Sequence, residues 1–559
     1  MKKQNETERN LNKLPICAAE FIKLVIKKMR YRKKVRLDVQ AELAAHFEDE
    51  LRDCKTDEEK EQKARQLIEQ FGDVKLLAVL LRRAKKRCRP LWRTVVARTF
   101  QTISVLILCF ISYCIYISLG KPTISVNYVE EATRLARPVA DESLNAAPIY
   151  QKAIDAYKEP PLVGAKKRSL LDAIKDKDWV TELTEEELTL LKQCLSDNAD
   201  AIEFFKQASE KPYCWWKQEA EDNRVPDVNM PELSPLRNIA KMMVWQAKLK
   251  AYNGHIEEAF DDLLACYRAG RHFKGPRSLI EQLVGMGIQN LSTRSILVIL
   301  NNQKVDSQLL RNLQTRFDEL MAEDAYTVDY KVERFGMLDF IQRCYTNNGR
   351  GSGHMIPGRV QEFILPGYDV TEGPVKAFGL FLAASIASAD RRQVSREFEK
   401  FYSTAEEGAT KTPWQLHKEK RCGFDFEMDV YNWSSFKKAR YWPVSLLMPA
   451  LGGVSEISYR LSADVKSTLT VIALLRYRQD TSDYPESLDD LVAAGYLKYL
   501  PMDPWSDKPL VYKRTDDVFM LYGVGSNFKD DGGQVFRDNK GRVRKYADEG
   551  DWVFWPVQK

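Results

Sequence analysis

Histidine is scarce in this 559-residue chain. The five are His46, His255, His272, His354 and His417, each more than sixteen residues from the next. No H-E-x-x-H helix occurs, so the usual zinc-hydrolase ligand pair is missing. A Walker loop, a dinucleotide-binding glycine fingerprint and a G-x-S-x-G elbow are missing too, which removes the commonest nucleotide and serine-hydrolase signatures. The ten cysteines include no C-x-x-C pair, and their spacing shows no disulfide framework. They read mainly as small apolar core residues, with a single bridge among the last five left open. Charge is not scarce, but it is unevenly placed. Residues 1–99 carry 26 basic against 15 acidic residues, and the rest of the chain 59 against 64.

Long apolar runs are nearly absent as well, which gives weight to the one that exists. Residues 100–119 (FQTISVLILCFISYCIYISL) hold no charge over a length sufficient to cross roughly 30 Å of hydrocarbon. Eight basic residues between Arg82 and Arg98 flank it on one side; Lys121, then Glu130 and Glu131, flank it on the other. Positive residues stay inside, so residues 1–92 are expected in the cytoplasm and everything after about Lys121 outside it. About 99 residues precede the run, which fits a cleaved signal peptide poorly. A second uncharged stretch, Ala377–Ala389, is too short to span and is expected to be a buried helix. The basic excess lies beside the span, where lipid headgroups and topology account for it; no nucleic-acid partner is expected.

Residues 1–92 carry helical stripes: Phe21, Leu24 and Val25; then Val39, Leu43, Phe47 and Leu51; then Ala64, Leu67, Ile68 and Phe71. Gly72 is placed to cap the third helix and Asp73 to open a fourth. The segments RLDVQAELAAHFEDEL (36–51), ARQLIEQFGD (64–73) and 77–84 resemble the short HAAS or permease-prefix domain, which bacteria place ahead of membrane segments. The resemblance covers about 70 residues. It implies a cytoplasmic partner-binding module without chemistry of its own.

Residues 125–345 are dense in helical pattern. A helix pair is expected at 236–270, broken at Asn253-Gly254, with Ala247, Ala251, Ala259 and Ala265 allowing close packing. The pair resembles a tetratricopeptide hairpin, although three clean repeats cannot be traced, and an irregular bundle is equally compatible. Glu185-Glu186-Glu187 reads as a helix start rather than as paired glycosidase acids. The Tyr213-Cys214-Trp215-Trp216 cluster reads as an aromatic core corner, with sugar stacking the sharper alternative. Residues 346–462 form a loop-rich and helical connector, in which Tyr441–Val454 is expected to be a packed turn region.

In residues 463–559, Val465, Leu469, Ile472 and Leu475 line one side of a helix ending near Gln479. A rigid Leu500-Pro-Met-Asp-Pro-Trp505 turn follows, then two strands, through Val511-Tyr512 and Phe519 to Tyr522, joined at Asp516-Asp517. The motifs Tyr477 to Asp480, Tyr484 to Leu491, Leu500 to Trp505, Pro509 to Tyr512, Phe519 to Gly525 and Asp530 to Gly533 resemble, in order, the C-terminal domain of type II secretion major pseudopilins. The pseudopilin's N-terminal polymerising helix has no counterpart directly ahead of this domain. The resemblance implies a Ca2+ site formed by Asp530, Asp531 and Asp551, with Ser526 and Asn527 nearby. Lys529, Arg537 and Lys540 oppose it, and an ordinary acidic β-turn is the other reading. The family often has Ser where this chain has Gly523.

The fold class expected is mainly α: a helical head, one transmembrane helix, a helical-repeat-like exported region and a small α+β domain. The expected function is a single-pass membrane-anchored scaffold or binding protein of the bacterial inner membrane, with protein partners on both sides. The alternative from another class is a membrane-anchored envelope hydrolase with a site in the exported helical region.

Overall fold

A computed structural model describes the chain except residues 1–10, 88–90, 165, 221, 276, 323–325, 365–373, 421–431, 448–450, 516–517, 540 and 559. The protein is mainly helical, with one short strand pair at 162–169 and the other short strands near its C-terminus. It divides into two compact units, Met1–Ile115 and Tyr116–Lys559.

The first unit opens with four helices, Ile16–Lys28, Lys33–Glu50, Asp57–Phe71 and Val74–Arg87. Val39, Leu43, Phe47 and Leu51 are all buried, as their spacing requires. Leu24 departs from the expected stripe and is 46% exposed, because Phe21, Ile22 and Val25 take the core-facing positions of that helix. Thr56 and Glu59 form a reciprocal capping box at the third helix, satisfying two amides that the helix leaves without partners. Gly72 ends that helix at φ +71°, and the Asp73 carboxylate accepts the Lys75 and Leu76 amides at 2.7 and 2.9 Å. Chain direction is therefore fixed by short-range chemistry at both turns.

Among the described residues, two helices are long and apolar enough to cross a membrane, Val95–Ser118 and Leu279–Asn302. They differ in surroundings. The first is 6% buried within the protein and the second 67%. Leu279–Asn302 is packed between Ile256–His272 and Leu451–Thr481, and it buries Gln282, Gln289, Ser292 and Thr293 beside its aliphatic residues. Gln282, Ser292 and Thr293 find hydrogen-bond partners inside the protein. Ser292 Oγ, for example, donates to Leu263 O at 2.6 Å.

The second unit is built on consecutive antiparallel helices. Leu233–Tyr252 and Ile256–His272 form the expected pair, turning at Gly254 with φ +90°. Ala247, Ala251, Ala259 and Ala265 are fully buried. The tightest helix crossing lies elsewhere: a Cβ on Gly270 would come 2.8 Å from Gly285 O, and one on Gly285 would come 2.5 Å from Gly270 O. Only hydrogen at both positions lets the backbones meet.

The expected borders at 345/346 and 462/463 fall inside this one unit. Its core runs from Ala146 to Phe554, and the single helix Leu451–Thr481 crosses the second border. The stretch Tyr441–Val454, expected as a turn region, contains helix Trp442–Leu447 and the start of that long helix. Ala377–Ala389 is helical through Ala387, but it is buried on one side only.

At the C-terminus, Val511–Thr515 and Val518–Gly523 pair antiparallel as expected. The joining residues Asp516 and Asp517 lie outside the described residues. A third strand, Trp552–Trp555, completes the sheet beside Val518–Gly523. Asp503, 2% exposed, organises the Pro-Met-Asp-Pro-Trp turn. Its carboxylate accepts the Trp505 and Val524 amides, both at 3.0 Å. A Cβ at residue 523 would sit 3.3 Å from that carboxylate, which accounts for Gly523.

Candidate functional site

A cleft of about 770 Å³ opens where helices Leu279–Asn302 and Leu451–Thr481 meet the 536–549 loop. At its base Asp464, 3% exposed, sits on the long helix amid buried Val, Leu and Ala. A lone carboxylate there would be strongly unfavourable, so it must gather donors. Asn290 Nδ2 donates to it at 2.7 Å and Lys545 Nζ at 2.5 Å, and the Tyr546 hydroxyl donates to the same oxygen as Asn290. The Arg460 guanidinium lies 5.1 Å from the Tyr546 ring centre and 5.4 Å from that of Trp552. Burial, chiefly, pushes the Tyr546 hydroxyl well above its ordinary value, so it remains a donor. The walls are of mixed charge, with Arg294, Arg544 and Lys545 against Asp548 and Glu549. Arg294 is held by both oxygens of Asp178 at 3.0 and 2.9 Å. Chemically, the base is a closed hydrogen-bond network. The rim is a charged, hydrogen-bonding surface.

A second cleft, about 620 Å³, is lined in part by Lys211, Tyr213, Arg268 and His272. His272 Nε2 lies 2.8 Å from Lys211 O, which can only accept, so that nitrogen carries the proton. Nδ1 then accepts from Tyr150 OH at 2.9 Å. Both ring nitrogens are engaged, and burial pushes the ring down to about 4, so it stays neutral. Nearby, Trp216 stacks on Phe273 and lies under Arg277. Tyr213 donates to Asp141 O at 2.7 Å. Cys214 and Trp216 pack, partly buried, against the core, while Tyr213 and Cys214 also line this cleft. Arg277 in turn pairs with Glu232 at 2.6 Å and Glu281 at 2.8 Å, and burial chiefly pushes Glu281 up to about 7.

The remaining sequence candidates fall as follows. Glu185, Glu186 and Glu187 open helix Glu185–Asp197, where Glu187 completes a capping box with Thr184. Cys194, Cys266 and Cys344 are buried free thiols; Cys88 and Cys422 lie outside the described residues. His417 stacks on Phe528 at 4.0 Å.

Asp530, Asp531 and Asp551 do meet in one loop, held by donors from the protein itself. The Asp551 carboxylate accepts the Asp531 amide at 3.2 Å and the Gly533 amide at 2.6 Å. Asp530 accepts the Gly532 amide and the Tyr522 hydroxyl, both at 2.9 Å. Asp531 accepts from Asn527 Nδ2 at 2.7 Å. Burial, with the neighbouring Asp530 and Asp531 charges adding to it, raises the Asp551 carboxyl above its ordinary value. Ser526 Oγ is buried with no hydrogen-bond partner. Among the described residues, no group of three or more His, Cys, Asp or Glu is arranged to hold a metal ion. In this structure the three carboxylates accept amide and hydroxyl hydrogen bonds from the protein itself. Removing the loop's central acceptor has a clear expected cost. Asp551→Ala leaves two amides unpaired and should destabilise the second unit by about 1–3 kcal/mol, read as a lowered thermal midpoint. An unchanged midpoint would mean that those amides find other partners.

Asp464 was not singled out from the sequence. Its signal is an acid in the middle of a helix whose neighbours at 461, 463, 465 and 469 are all apolar. Comparison with protein-family models, curated proteins and solved structures finds no match to this chain.

Proposed function

We propose that the protein is a single-pass, membrane-anchored binding protein or scaffold. Residues 1–92 lie in the cytoplasm, the Val95–Ser118 helix spans the membrane, and the chain after about Lys121 lies on the far side. The observation that carries this reading is the contrast between the two long apolar helices. Val95–Ser118 has a mean hydropathy of 2.0 and is almost wholly uncovered, whereas Leu279–Asn302 is a core helix. An uncovered apolar helix of that length is unfavourable in water and matches the hydrocarbon thickness. The basic residues from Arg82 to Arg98 supply the orientation.

Binding rather than catalysis is favoured by the clefts. Asp464 and His272, the acid–base groups deepest in them, are fully engaged in internal hydrogen bonds. The head and the C-terminal domain are read, on their sequence resemblances, as a permease-prefix-like partner module and a pseudopilin-like recognition module. Calcium at Asp530, Asp531 and Asp551 rests on that second resemblance alone. It requires a higher melting midpoint in millimolar calcium than in chelator, and identical curves reject it.

Topology is tested with reporter fusions. Alkaline phosphatase joined after Lys559 should be active, and joined after Arg89 inactive, with a cytoplasm-folding fluorescent reporter giving the reverse pattern. Activity at Arg89 alone would overturn the orientation. Photo-crosslinking from Phe536, in the cleft wall, addresses the binding role. A discrete protein adduct in intact cells is expected, and adducts no stronger than at a remote exposed position would remove the case for a partner there.

A further inference from the structure

We propose that helix Pro374–Ala387, together with helices Ser435–Arg440 and Trp442–Leu447, forms a monotopic lipid-binding face that seats the second unit on the membrane surface. The proposal rests on the single-span reading above. Its starting point is a helix that carries no charge after Lys376. Residues 377–387 read AFGLFLAASIA, with no charge. Phe381 and Ser385 are buried, while Phe378, Gly379, Leu380, Ala383 and Ala387 face outward. A helix at a water-exposed surface carries polar residues on its outer side, and one that is apolar all round is covered by something. Here Leu380 is 68% exposed, and nearby apolar residues repeat the pattern, Phe436 at 74% and Leu446 at 62%. The three helices form one patch: Trp442 Nε1 donates to Ala384 O at 3.1 Å, and the Ala389 amide to Arg440 O at 2.7 Å.

The identity of the cover follows from where the apolar span ends. Residues 116–120, which end the span and follow it in sequence, are packed within the second unit. Ile117 is 1% exposed, and the Tyr116 ring lies 4.7 Å from that of His354. At residue 120 a Cβ would meet Thr346, His354 and Ile356 at 2.8–3.2 Å, so the chain is clamped as it leaves the span. The segment that clamps it also holds the far end of the apolar helix. The Arg391 amide donates to Gly353 O at 2.8 Å, and Tyr345 and Ser388 share a hydroxyl hydrogen bond of 2.8 Å. The chain therefore enters the second unit on the same segment that carries the apolar helix. Lys121, Arg350 and Arg392 are exposed around the same segment and complement anionic headgroups. Apolar residues facing the acyl boundary with cations among them is the composition of an interfacial anchor.

The test uses the full chain in vesicles of phosphatidylethanolamine and phosphatidylglycerol. A benzophenone amino acid replaces Leu380 or Leu446, with Ile107 in the span as positive control and Leu162, 66% exposed, as surface control. After irradiation, lipid adducts are counted by mass spectrometry. Positions 380 and 446 should give lipid adducts at least about fivefold above position 162. Adducts at 107 but only background at 380 and 446 would overturn the lipid face and leave the span intact. Background at 107 as well would overturn the single-span reading itself. A cross-linked dimer or a foreign protein at 380, in place of lipid, would assign the face to that partner and reject the proposal.

Discussion

Phe47→Ala should unfold the four-helix head as an isolated 1–90 fragment. Phe47 is fully buried at the centre of the four helices, its ring 6.2 Å from Phe21 and 5.7 Å from Phe71. Truncating a buried Phe removes its transfer free energy and leaves a cavity, together about 3–5 kcal/mol. A unit of this size has a total stability near the low end of about 5–15 kcal/mol, so the substitution takes most of it. The edge-on contact with Phe21 adds to the loss. Phe71 makes a useful comparison. It is only partly buried, stacking on Phe21 at 6.0 Å and meeting the edge of His46 at 5.6 Å. Phe71→Ala should therefore cost less, about 2 kcal/mol by the apolar area it keeps from water. Circular dichroism melts of the two variants give the order directly. Equal midpoints, or an unshifted Phe47→Ala, would mean that the helix stripes do not converge as described.

The head was readable in sequence because its information is local. Helical spacing, the Thr56–Glu59 box, Gly72 and Asp73 all act within a few residues. Leu24 escaped because an apolar residue at stripe spacing can still fall on the rim of so narrow a core. The C-terminal sheet was half readable for the same reason. The hairpin strands are neighbours in sequence, whereas Trp552–Trp555 pairs with Val518–Gly523 across a long loop that no periodicity announces. Aromatic residues at 552, 554 and 555 were the available signal. The expected borders at 345/346 and 462/463 did not reappear because loop-forming residues mark a change of local structure, not the edge of a core. Helix Leu451–Thr481 packs on Leu279–Asn302 and Ser307–Ala322, so the regions share their interior. Burial on one side of the 377–387 helix also lay beyond the sequence. An uncharged run says that water is avoided, and only the neighbours say whether protein supplies the cover.

Asp464→Ala is expected to be the most damaging polar substitution in the second unit. The carboxylate serves three donors, from Asn290, Lys545 and Tyr546, and two of these belong to the loop that walls the cleft. Removing one partner of a buried ion pair costs about 3–5 kcal/mol, because the other charge stays behind without compensation. The Lys545 side chain is about a quarter exposed, and water reaching it brings the expected cost to the lower end, about 3 kcal/mol. Asp464→Asn retains an acceptor oxygen but loses the charge, and about 1–2 kcal/mol is expected. The two variants also separate local from global effects. If the network pins the loop, amide exchange across 543–549 should quicken in both, well before the thermal midpoint falls in the Asn variant. Arg460, stacked on Tyr546 and Trp552, ties the same loop to the third strand, so exchange in 552–555 should rise next. A protein in which Asp464→Ala melts like the parent, with the loop equally protected, would show that apolar packing of Trp552 and Phe554 alone holds the C-terminal segment in place. The cleft would then owe its shape to the sheet rather than to the buried carboxylate.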